Sequence, residues 1–149
     1  MQKIHFSIQI NAPVEKVWDT MLTDETYRQW TEAFGPGSYF KGNWEEGTEI
    51  QFLNTEDDGT TMGMHSRIAE NRKHEFVSIE HLGIVKDGVV DTASEEATKW
   101  APSFENYTFK EVDGGTEVSV DQDMQEEYKE MFEVMWPKAL QTLKELSEK

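Results

Sequence analysis

The chain has 149 residues, a length at which one domain buries roughly 68–70% of its extended surface. It contains no cysteine, which excludes disulfide frameworks, thiolate metal sites and cysteine nucleophiles. Thirty acidic against fourteen basic residues leave a net charge of −16, a surface that repels nucleic acid and anionic bilayers, because those bind through Lys and Arg.

The opening MQKIHFSIQI has no basic stretch followed by a long apolar run, and no segment approaches the ~18 apolar residues of a membrane span. The expectation is a cytoplasmic protein without signal peptide or membrane insertion. Lys3 to Ile10 alternate, with Ile4, Phe6, Ile8 and Ile10 on one side, as a half-buried antiparallel strand does. Asn11 and Pro13 suit a helix start. Val14, Val17, Trp18, Met21 and Leu22 follow at helical spacing. Thr23 and Asp24 begin a second short helix carrying Tyr27 and Trp30.

From Gly35 the texture changes to strands and turns. Ser38 to Gly42 carries Phe40, Asn43 to Gly47 turns, and Thr48 to Asn54 places Ile50 and Phe52 on one face. Asp57-Asp58-Gly59 is a hairpin signal. Thr61 to Glu70 sets Met62, Met64, Ser66 and Ile68 against Gly63, His65, Arg67 and Ala69. Glu75 to Leu82 puts Val77, Ile79 and His81 together. The connection from Gly83 to Pro102 is acidic, ends in Trp100 and exceeds the usual connection length, so it reads as an irregular lid or binding loop with a short helix around Ser94 to Lys99. Phe104 to Glu111 offers Tyr107 and Phe109 on one side. Asp113-Gly114-Gly115 turns, and Thr116 to Asp121 follows with Val118 and Val120.

Met124 to Lys149 is one long amphipathic helix. Tyr128, Met131, Phe132, Met135, Trp136, Ala139, Leu140, Leu143 and Leu146 repeat at i, i+3, i+4 and i+7, with glutamates opposite. Pro137 removes the bond to the Glu133 carbonyl and should bend the axis. So wide an apolar stripe must be covered, and only strands are available upstream. The pattern predicts an α+β fold: a seven-stranded curved antiparallel sheet around a long C-terminal helix, with two short helices after the first strand, in a single domain spanning 1–149.

The opening IQINAPVEKVWDTMLTDETYRQW resembles the start of START-like, Bet v 1-like (SRPBCC) proteins. More closely it resembles the branch related to the C-terminal domain of the activator of the Hsp90 ATPase. The Gly42 to Phe52 hairpin with Trp44 and Gly47, HEFVSIEHLG, YTFKEVDGGTEVSVDQ and the Trp136-Pro137 neighbourhood add to the likeness, which covers essentially the whole chain. It implies a sheet that grips the helix around an apolar cavity, often holding a lipid-like or polyaromatic molecule. It does not imply one activity.

Strand parity then gives the cavity-lining candidates. The sheet contributes Phe40, Ile50, Phe52, Met62, Met64, Ile79, His81, Tyr107 and Phe109; the last helix contributes Met131 and Met135; the front end contributes Trp18, Trp30 and Phe34. Trp100 is the lid residue. Aromatics and Met supply adaptable apolar area. His81 is the polar residue on that face able to orient a ligand or carry a proton, with Ser66 and Tyr107 as partners and Glu80 pointing outward. The carboxylates are expected on outer faces and turns, which leaves no paired acid and base inside. His5, His65, His74 and His81 form no metal-ligand spacing, and phosphate-loop, dinucleotide and nucleophile-elbow motifs are absent. No cofactor is implied.

The first functional reading is a non-enzymatic binder of a small apolar or amphipathic molecule, lipid-like or aromatic. The alternatives are a chaperone-interacting module, by resemblance, and a cyclase- or hydrolase-like enzyme using His81 and Tyr107. An exposed edge strand could also pair two copies.

Overall fold

The computed structural model describes Met1–Lys149 throughout. In chain order it comprises β1 (Gln2–Ile10), α1 (Val14–Leu22), α2 (Asp24–Trp30), a 3-10 turn (Thr31–Phe34), β2 (Tyr39–Gly42), β3 (Glu49–Thr55), β4 (Thr61–Arg72), β5 (Phe76–Lys86), β6 (Val89–Asp91), α3 (Glu95–Trp100), β7 (Ser103–Val112), β8 (Gly115–Met124) and α4 (Glu126–Ser147). The strands pair antiparallel in the order β1-β8-β7-β5-β4-β3-β2, with β6 added against the end of β5. The first strand therefore lies at one edge beside the last, and α1 and α2 carry the chain across to the opposite edge, where β2 begins.

The seven strands read from the sequence all form, and the long connection proves more ordered than expected. β5 continues through Gly83 to Lys86, and β6 returns to pair Ile84 with Asp91, Val85 with Val90 and Lys86 with Val89. Asp87 and Gly88 make the turn at φ +48° and +81°, the positive dihedrals that a two-residue hairpin of matching twist requires. The helix expected near Ser94 is α3, whose first turn is capped by the Ser94 hydroxyl accepting from the Ala97 N–H at 3.1 Å.

Curvature is concentrated in β4. Its register with β5 shifts between His65 and Ser66 and again between Ile68 and Glu70, and such irregularities bend a strand and increase its twist. Gly63 lies where a Cβ would sit 1.7 Å from the Phe52 carbonyl oxygen of β3, so the close approach of β3 to β4 depends on a residue without a side chain.

α1 and α2 bury the expected faces, including Val17, Trp18 and Met21 from the first and Tyr27 and Trp30 from the second. The helix α4 runs without a break through Pro137 and packs against β1, α1, α2 and the 3-10 turn. Its two halves differ. Trp136, Ala139, Leu140 and Leu143 are buried, whereas on the same stripe Met131 is 48% exposed and Tyr128, Phe132 and Met135 are only partly buried. The expectation that the apolar stripe is covered along its length therefore holds only for the second half. The first half spans a space that the sheet does not fill.

Candidate functional site

That space is a cavity of about 560 Å³. Tyr27, Trp30 and Phe34 form one wall, and Phe52, Met62 and Met64 on β3 and β4 another. The first half of α4 covers it with Tyr128, Met131, Phe132 and Met135, and Trp136 closes one end. Phe34 meets Trp136 edge-on at 4.8 Å and Tyr27 meets Trp30 edge-on at 5.3 Å, while Trp30 stacks on Trp136 at 6.0 Å, both arrangements that ring quadrupoles favour.

Ten of the residues predicted from the sequence converge here: Trp30, Phe34, Phe52, Met62, Met64, His81, Trp100, Tyr107, Met131 and Met135. Four lie elsewhere. Trp18 packs on Phe109 at 4.9 Å and on His74 at 5.9 Å, beneath α1, which fills that end of the concave face. Phe40 packs on Tyr27 at 5.0 Å and Trp44 at 5.4 Å. Ile79, like Ile50, is closed over as ordinary core. Strand parity identifies the face, but the helices decide which part of that face stays open. Trp100 stands at the rim, its ring 4.8 Å from Tyr128, so α3 is joined to the first turn of α4. The Gln125 side chain strengthens that link by donating to the Lys99 carbonyl.

The polar part of the wall is a connected cluster. The His81 Nδ1 lies 2.7 Å from the Ser66 hydroxyl, and its Nε2 lies 3.1 Å from Oε1 of Glu105. Tyr107 donates its hydroxyl to the other carboxylate oxygen, Oε2. The Gln122 amide donates to Oε1 at 3.2 Å, and its own carbonyl accepts from the Trp136 indole N–H at 2.8 Å. Ser66 thus partners His81 directly, while Tyr107 reaches it through Glu105. Glu80 points outward, ion-paired to Arg67 at 2.6 Å.

Glu105 overturns the expectation that every carboxylate lies outside. Its side chain is 14% exposed and faces the cavity. Three donors share the burden of holding it there, as a buried charge requires. Burial, and then the Glu105 charge, push the hydroxyls of Tyr107 and Tyr27 well above the usual phenol pKa, so both remain protonated.

The order Ser66–His81–Glu105 superficially resembles a nucleophile relay. Ser66, however, is fully buried and does not line the cavity. Its hydroxyl cannot reach a bound molecule, so the cluster orients rather than attacks. No three His, Cys, Asp or Glu side chains converge as metal ligands, and no helix is long and apolar enough to cross a membrane.

A curved antiparallel sheet gripping one long helix around a partly polar cavity defines a helix-grip protein of the START-like, Bet v 1-like kind. The family model for activator of Hsp90 ATPase homolog 1-like protein matches residues 11–148, and the chain belongs to that family. Among solved structures, the Aha1 dimer from Colwellia psychrerythraea is similar at 17% identity and a TM-score of 0.72, over 99% of this chain and 97% of that one. A protein from Chromobacterium violaceum gives 18%, 0.71, 99% and 97% for the same quantities. One from Nitrosomonas europaea gives 16%, 0.73, 97% and 92%. At these identities the likeness concerns the fold. No protein of curated function matches the sequence.

Proposed function

We propose that the chain, as one START-like domain, binds a small hydrophobic or amphipathic molecule between its sheet and the first half of α4. The observation that carries this reading is the cavity itself. It has about 560 Å³ of space with aromatic and Met walls and a fixed polar cluster on one side, the composition typical of small-molecule sites. The walls hold a ligand by apolar burial, and the cluster sets which end enters first. Both ring nitrogens of His81 are already engaged by Ser66 and Glu105, which favours a binding role over general acid–base work.

Native mass spectrometry of freshly purified protein tests the proposal. A stoichiometric adduct released on denaturation is expected. Met64→Trp and Met131→Trp, which fill the space, should abolish it. A bare mass that stays bare after incubation with a library of lipids and aromatics would sink the reading. Family membership supports one alternative, a module that engages an Hsp90-type chaperone; a bare mass together with co-purification of such a chaperone would favour it.

A further inference from the structure

We infer that the molecule this cavity takes carries a protonated amine on an aromatic or alicyclic body, with the ammonium group placed on Glu105. The inference rests on the cavity-binding reading and specifies its ligand.

The carboxylate is the starting point. Ionised, it offers about four acceptor positions on two oxygens. His81 and Gln122 occupy Oε1 and Tyr107 occupies one side of Oε2, which leaves one position on Oε2. Its protein partners are an imidazole, a phenol and a carboxamide, none of which carries the permanent charge of Lys or Arg. Holding a carboxylate in such a place is costly without a counter-charge. Glu105 lines the cavity, so a cationic N–H donor bound there can take the remaining position.

The walls favour the same occupant. Trp30, Tyr27 and Phe52 line the same cavity as Glu105, and aromatic faces attract an ammonium group, the more so when it is desolvated. At the rim, Glu56, Glu96 and Asp123 stand against the lone cation Lys86, and Asp123 is already paired with Lys3 at 3.0 Å. With a net charge of −16 on the whole chain, the field at the mouth draws cations in and turns anions away. A fatty acid or a phosphate-headed lipid would place its charge against Glu105 in a medium of low dielectric, where like charges repel strongly.

Three probes that share one ring system test this: 2-(1-naphthyl)ethylamine, 2-(1-naphthyl)ethanol and 1-naphthylacetic acid, titrated into the full chain by calorimetry. The amine should bind at least about tenfold more tightly than the acid, with the alcohol between them. Glu105→Gln should remove most of the amine's advantage while leaving the alcohol nearly unchanged. Equal binding of all three, or preference for the acid, overturns the charge assignment and leaves the cavity reading standing. Binding of none overturns the amine assignment, and the library experiment then decides the cavity reading. Should Glu105→Gln not fold, the ranking on the wild-type chain decides, and Met64→Trp must abolish binding of the amine.

Discussion

Tyr27 and Tyr107 sit buried beside the Glu105 charge, and their raised pKa values make a statement about stability. Below the ordinary phenol value of 10.0, folded and unfolded chains both keep these protons, so the two residues add no pH dependence. Above it the unfolded chain ionises and the folded one does not. Stability must then fall as pH rises, by about 1.4 kcal/mol per pH unit for each phenol until the folded chain ionises too. Urea unfolding between neutral and strongly alkaline pH should show this slope in the wild type and a much shallower one in Tyr27→Phe/Tyr107→Phe. Equal slopes would mean that the hydroxyls are not buried. The cluster itself was half legible. The two-residue period that turns Tyr107 and Phe109 inward also turns Glu105 inward, just as that of Val118 and Val120 turns Gln122 inward. Charge hid the first and polarity the second, because Glu and Gln in a strand usually mark the solvent face. What no pattern could supply is the set of donors from β5, β7 and β8 that makes an inward carboxylate tolerable.

Among the elements, the strands were legible from alternation, and their exceptions occur where pairing geometry overrides it. The hairpin of β5 and β6 carried its own signal, Asp87-Gly88 between Ile84-Val85 and Val89-Val90, the same dipeptide as Asp58-Gly59 in the longer connection between β3 and β4. The acidic residues after it made the whole connection look irregular. The β4 irregularities left no mark that parity can detect, because a register shift depends on the partner strand. Gly63 is the element-scale test of that curvature. Gly63→Ala should cost about 1–3 kcal/mol in urea unfolding, since the new methyl meets the Phe52 carbonyl and the two strands must separate to admit it. A loss within about 0.5 kcal/mol, the range of neutral surface changes, would show that the sheet flexes there freely.

Across the whole molecule, α4 joins a finished core to an unfinished one. The sequence showed a single apolar stripe, and that was enough to predict the grip of helix on sheet. It could not show that the stripe changes partner near Trp136. Beyond that residue α4 lies on α1 and β1 with its apolar side chains buried. Before it, Met131 is about half exposed, and Phe132 and Met135 line open space. Fewer buried contacts mean a lower local opening free energy, so the two halves of one helix should differ in amide exchange. Without ligand, Glu126 to Met135 and α3 should exchange faster than Trp136 to Leu146. Filling the cavity with 2-(1-naphthyl)ethylamine should slow exchange in the first half and in α3, which the Trp100–Tyr128 contact ties to it, while the second half stays unchanged. Uniform exchange along α4 before ligand would mean that the cavity is already held shut. Uniform slowing after ligand would mean that binding stabilises the fold globally, and the helix could not then serve as a separately yielding cover.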